Sequence, residues 1–284
     1  VARREPPAVR DRVEAVAATL PGAERRVAEA VVSDPHLVAF GTVASLAERT
    51  GTSGPTVLRF AGRLGYRGFR GLQTAVQEEL AGRLRPASER IREPGARDLP
   101  ARTATTDTGN VERSVAGIDR TELARAVALL ADRDRAVFVL TGELTRAVGV
   151  LLADRLDLLR PGVQRIAGGP VQIARALAGI RRGDVVITVD TRRYERWLVA
   201  ALDRAAGAGA VVVAVTDSRL SPLSHPGGVT LAVTVESPGP FESLVGPVAV
   251  AQVMTNAVAR RLRTTASRRL DAVEQAWADE LVDP

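Results

Sequence analysis

The 284-residue chain has no cysteine and no lysine. Without cysteine, disulfides, cysteine-ligated zinc sites and thiolate nucleophiles are all excluded. Without lysine, every basic side chain is arginine, an exchange so uniform that it reflects genomic base composition more than function. Histidine is nearly absent as well. His36 and His225 are the only two, so a histidine-rich metal site is not expected, and neither is any metal or cofactor. His36 reads as a helix-junction residue and His225, just before Pro226, as a surface loop residue. Long hydrophobic runs are missing too. The longest, Ala205 to Val215, is too short and too glycine-rich to span a bilayer. The opening VARREPPAVRDRV lacks the apolar core of a signal peptide. These absences predict a cytoplasmic protein without membrane association.

What is present is the profile of a globular protein: 45% apolar residues, 25% charged and a net charge of +6. The length suits two domains. Residues 9–81 read as all-helical, with Val9, Val13, Val16 and Leu20 at helical spacing before the Pro21-Gly22 break. Residues 83–109 carry Pro86, Pro94 and Pro100, many charges and threonines, and no sustained apolar period, which predicts a linker. From Ala136 onward, apolar runs alternate with helical segments. Strands are expected at 136–140, 163–166, 184–189, 210–216 and 229–235, with helices between them. Such βαβ alternation implies a doubly wound, five-stranded parallel sheet. The expected layout is a helical domain over 1–82, the linker, and an α/β domain over 110–284, which opens with helices near 110–118 and 121–132 and closes with helices near 242–263 and 267–281.

The strongest local pattern is TVASLAERTGTSGPTVLRFAGRLGYRGFRGL at 42–72. Helix 43–50 is stopped by Gly51. Ser53 is placed to cap the next helix, and Pro55 sits in its first turn, where no amide hydrogen is needed. Val57, Phe60, Ala61 and Leu64 then share one face, leaving Thr56, Arg59 and Arg63 outside. Two short helices across a tight glycine turn are what a DNA-binding helix-turn-helix requires. Between Ser53 and Gly71 lie Arg59, Arg63, Arg67 and Arg70, and no acid. Ser53, Thr56 and these four arginines are the candidate DNA contacts.

This stretch resembles the helix-turn-helix domain of the RpiR (MurR/RpiR) family of bacterial transcriptional regulators. Leu46-Ala47, Ser53, Thr56-Val57, Arg59-Phe60, Leu64-Gly65-Tyr66 and Gly68-Phe69 fill the family's pattern at its spacing. The resemblance implies a C-terminal sugar isomerase (SIS) domain that senses a small anionic effector, typically a phosphosugar. It also implies a homodimer or dimer of dimers on a double-stranded operator, and no enzymatic activity.

In an open α/β sheet, ligands bind beyond the carboxyl ends of the strands. There the sequence places Thr141, Glu143 and Thr145 after the first strand and Asp190, Arg192 and Arg193 after the third, with Ser243 opening a later helix. The SIS pattern resembles G-x-G-x-S in the first loop, of which only the hydroxyl survives here, and S-x-S-G after the third strand, where Asp190, Arg192 and Arg193 put one acid and two large bases in place of small residues. Arg192 and Arg193 suit a carboxylate or phosphate held in bidentate fashion. They equally suit internal pairs with Asp190 and Glu143, which would leave a ligand-blind regulator. Glu143, Asp190 and Glu195 are the nearby carboxylates that a sugar-phosphate isomerase would need.

Overall fold

The computed structural model describes residues 9–33, 35–84, 87–92, 98–219 and 221–278, and divides the chain into two compact units, Val1–Pro86 and Ala87–Pro284. The opening residues 1–8 and the expected end of the last helix at 281 lie outside the described residues.

The first unit contains α1 (Val9–Val16) with a 3-10 turn at Ala17–Thr19, α2 (Gly22–Ser33), α3 (Pro35–Phe40), α4 (Val43–Arg49), α5 (Gly54–Arg63) and α6 (Gly68–Leu84). The start of α4 is fixed by a capping box, in which the Ser45 amide donates to Thr42 Oγ1 and the Thr42 amide donates to Ser45 Oγ. Gly51 (φ +58°) and Gly65 (φ +84°) take the left-handed conformation just beyond α4 and α5, where a side chain would be strained. Val57, Phe60, Ala61 and Leu64 of α5 face the core, as their spacing predicts, packing with Val27, Leu46 and Leu72. Two arginines secure the turns from outside. Arg26 donates to the carbonyls of Thr50 (3.0 Å) and Gly51 (3.1 Å). Arg12 donates to the Leu64 carbonyl (3.0 Å) and lies over the Tyr66 ring. α3 occupies the stretch around His36, expected to be a helix junction; its proline stands at the first helical position, where its missing amide costs nothing.

The second unit contains α7 (Ala87–Arg90), α8 (Leu99–Ala116), α9 (Arg120–Ala131), β1 (Val137–Thr141), α10 (Arg146–Leu159), β2 (Val163–Arg165), α11 (Pro170–Ala178), β3 (Val185–Val189), α12 (Arg196–Gly207), β4 (Val211–Thr216), β5 (Val229–Ala232), α13 (Val245–Arg261) and α14 (Arg263–Trp277). All strand pairs are parallel, in the order β2-β1-β3-β4-β5. Alternate strand residues feed two cores. Val137, Val139, Val185 and Ile187 pack with Leu152, Leu156 and Met254 on one face. Phe138, Leu140, Val186 and Val212 pack with Leu198 and Leu202 on the other.

The linker expectation over 83–109 needs correction, because α8 is helical from Leu99. α8 is bound to the chain that extends β5. The buried Asn110 donates to the Glu236 carbonyl (2.7 Å) and accepts from the Glu236 amide (3.1 Å), and Ser114 Oγ accepts from the Thr234 amide (2.9 Å). Residues 99–109 of α8 bury no side chain and show no apolar period, which is why the sequence reads as a linker there; the helix expected near 110–118 is its second half. His225 is likewise not a surface residue. It is largely buried, with Nε2 3.8 Å from Asp203 Oδ1. Among the described residues, no helix is long and apolar enough to cross a membrane, and no cluster of ligating side chains could hold a metal.

Candidate functional site

In the first unit, the residues expected to meet DNA gather around α5 and the start of α6. Arg59, Arg63, Arg67 and Arg70 are all exposed. Thr56 is not; only 5% of its surface is accessible, contrary to its expected place outside. Its hydroxyl lies 3.0 Å from Ser53 Oγ and accepts from Arg59 Nη2 (3.1 Å). Ser53 holds the capping position of α5, but its side chain bonds Thr56 and no backbone amide. Its use is therefore to build a small hydroxyl pair that orients Arg59.

Two residues here escape the sequence pattern. Glu24 of α2, buried beneath α5, lies 2.6 Å from Arg63 Nε and 3.8 Å from Arg59 Nε, so the acid-free stretch rests on a carboxylate from another helix. Leu58 is exposed on α5 beside Arg59 and offers an apolar contact of the kind that reads a thymine methyl. Glu24 is remote in sequence and Leu58 is off the helix's apolar face, so neither gave a signal.

In the second unit, β1 and β3 end side by side, Thr141 opposite Val189, and their loops form a cavity of about 240 Å³. Leu144, Thr145, Asp190, Thr191, Arg193, Glu195, Phe241, Glu242 and Leu244 line it. Of the seven expected ligand residues, the structure brings Thr145, Asp190 and Arg193 together there. Glu143 pairs with Arg146 (3.1 Å) and borders a neighbouring groove of about 490 Å³ between α11 and α12. Thr141 turns onto Gly149, where a Cβ would meet it at 2.7 Å. Ser243 donates to Asp107 Oδ1 (2.5 Å) and accepts from the Val245 amide, fixing α8 to the start of α13.

Arg192 stands in the left-handed region (φ +60°), with its amide donating to Asp217 Oδ1 (2.9 Å) and its guanidinium 2.9 Å from Glu236. Its ion pair is thus with a carboxylate from the β5 extension, which sequence distance concealed.

Asp190 is the centre of the loop. It is 4% exposed and accepts from the amides of Thr191 (2.9 Å) and Glu195 (3.3 Å). Burial pushes its carboxyl up to about 6 against the opposing effect of those amides, and the charges of Glu195 and Asp217 add to the rise. A Cβ at Gly142 would lie 2.7 Å from this carboxylate, so only glycine fits there. Glu195 in turn accepts from the Glu143 amide (2.5 Å) and from the Trp197 indole. Tyr194 donates to Asp217 Oδ1 (2.8 Å), and burial holds its phenol well above its ordinary value. Thr145 donates inward, to the Val189 carbonyl (2.6 Å).

A helix-turn-helix followed by a β2-β1-β3-β4-β5 sheet with a cavity at its topological switch point defines a class: a helix-turn-helix domain joined to a doubly wound α/β domain. The family model "Helix-turn-helix domain, rpiR family" matches residues 9–83, and the model "SIS domain" matches residues 129–257. The chain thus carries a helix-turn-helix domain of the rpiR type and a SIS domain. It is similar to the sugar isomerase domain of an RpiR transcription factor from Sphaerobacter thermophilus, at 29% identity and a TM-score of 0.58, covering 63% of this chain and 99% of that one. The Vibrio vulnificus NanR protein, whose structure is a complex with ManNAc-6P, shares the fold at 21% identity and a TM-score of 0.58, covering 96% of this chain and all of that one. A bifunctional protein glk of Paraburkholderia xenovorans is 28% identical over 228 residues, 79% of this chain. The match spans about a third (35%) of that relative's length.

Proposed function

We propose that this chain is a DNA-binding transcriptional regulator whose operator affinity is set by a small molecule bound at the carboxyl edge of its SIS sheet. The observation that carries this reading is the arginine face of α5 and α6, built on a helix-turn-helix of the rpiR type. Arg59, oriented through Thr56 and Ser53, is the base-reading candidate. Arg63, Arg67 and Arg70 are placed to neutralise phosphates. A homodimer or dimer of dimers would present two such helices to a pseudo-palindromic site. The regulator architecture favours a cytoplasmic, non-catalytic role, in which cavity occupancy biases one domain arrangement over another.

The test is DNA binding measured on sequences selected from a random library. Arg59→Ala is expected to abolish binding while circular dichroism and size exclusion stay unchanged; undiminished binding would sink the assignment. A ligand-blind regulator is the second reading, favoured by the carboxylates that already occupy the loop amides of the cavity. Under that reading no small molecule shifts the melting temperature.

A further inference from the structure

Four amides in the loops that would cradle a phosphate are committed to the protein's own acids. Asp190 takes the amides of Thr191 and Glu195, Glu195 takes that of Glu143, and Asp217 takes that of Arg192. The hydroxyl of Thr145 is turned to a carbonyl. Around the cavity stand three carboxylates, Asp190, Glu195 and Glu242, against one guanidinium, Arg193. Glu242 is matched by Arg90 of α7 at 2.8 Å, which leaves an excess of negative charge on the lining. An entering phosphate dianion would have to displace Glu195 from its amide and then sit beside Asp190, like charge against like in a buried place.

From this we infer that the cavity selects a small polyhydroxylated ligand that carries no phosphate and is uncharged or bears a protonated amine. This inference rests on the cavity being the effector site of the regulator proposed above. The chemistry fits on each wall. Each oxygen of Asp190 accepts one amide, and those of Glu195 accept one amide and the Trp197 indole, so each keeps a lone pair for a hydroxyl or ammonium hydrogen. Arg193 supplies donors to ring or hydroxyl oxygens. Leu144 and Phe241, both largely exposed at the rim, and Leu244 give the apolar surface on which a sugar ring packs. At about 240 Å³ the cavity lies below the roughly 300–1,000 Å³ of drug-sized sites, which suits one monosaccharide.

The experiment is thermal shift of the full chain at neutral pH with hexoses, hexosamines and inositols, each beside its phosphate ester, and with inorganic phosphate. At least one unphosphorylated compound is expected to raise the melting temperature by roughly 5–10 °C at a hundredfold excess over its Kd. Its phosphate ester is expected to bind roughly tenfold more weakly or worse. Glu195→Gln, which removes the charge and keeps one acceptor for the Glu143 amide while leaving the exposed Trp197 indole to water, is expected to shrink that preference while circular dichroism shows it folded. Tighter binding of a phosphate ester, silence across the panel, or an unchanged preference in Glu195→Gln would each overturn the inference. DNA binding measured in parallel separates the two proposals. Sugar binding without DNA binding sinks the regulator and leaves the ligand class standing, and DNA binding with a phosphate-ester preference does the reverse.

Discussion

Asp190 carries the heaviest electrostatic load of any residue in the cavity, and its pH dependence has a definite sign. Its folded pKa, about 6, lies above the ordinary 3.8, so the folded chain binds this proton more tightly than the unfolded chain does. Stability from this group is therefore greatest in acid and falls as pH rises from about 4 to about 6. A shift of about two units corresponds to roughly 3 kcal/mol. Asp190→Asn cannot ionise and should lack that slope. Melting temperatures of the two proteins, compared from acid to neutral pH, should show the parent losing ground to the variant as pH rises. A difference that stays constant across the range would show that Asp190 does not titrate there. The constant offset itself reflects the second amide, which asparagine, with one acceptor oxygen, would leave unpaired.

At the scale of the element, α5 shows how one helix can serve the core with one face and a partner with the other. Phe60 is fully buried and sits in a core confined to the first unit, separate from the two cores that flank the sheet. Phe60→Ala should remove about 3–5 kcal/mol. That is enough to unfold a small helical unit of ordinary stability, about 5–15 kcal/mol, if it stands at the low end of that range. The sheet unit should survive it. Calorimetry or limited proteolysis should then find a folded 87–284 core and no DNA binding; loss of both units together would mean that they fold as one. The elements of this chain are legible in its sequence because apolar period and glycine or proline punctuation report backbone structure directly. Gly51, Gly65 and Gly183 all stand at positive φ beside helix ends or a strand start that the pattern finds. Only the second half of α8 is legible; residues 99–109 bury no side chain and so carry no apolar stripe for the pattern to find. The site is legible only in its positions. Thr145, Asp190 and Arg193 come to line one cavity, but the partners of the other candidates, Glu195 for the Glu143 amide and Glu236 for Arg192, depend on where distant loops cross.

For the molecule as a whole, charge is distributed as the proposed function requires. Residues 1–86 hold thirteen arginines and nine acids, so four of the six net positive charges belong to the smaller unit. Such an excess acts at long range and does not by itself read sequence. Arg67 and Arg70, exposed beyond the end of α5, separate the two effects. If each contacts a phosphate, removing one should weaken binding about equally on selected and random DNA, because phosphate contacts carry no sequence information. Counterion release fixes the size of the effect: the slope of log K against log salt should fall by about 0.9 for every phosphate that is no longer neutralised. A single Arg67→Ala substitution in a protein that binds as a dimer frees two phosphates, and the slope should drop by roughly 1.8; in a tetramer engaging four sites the drop should be about twice that. A salt titration of one variant thus reports both whether Arg67 touches the backbone and how many copies of the chain sit on the DNA. An unchanged slope would place Arg67 outside the interface and leave recognition to Arg70 and to Arg59 and Arg63, the pair held over Glu24.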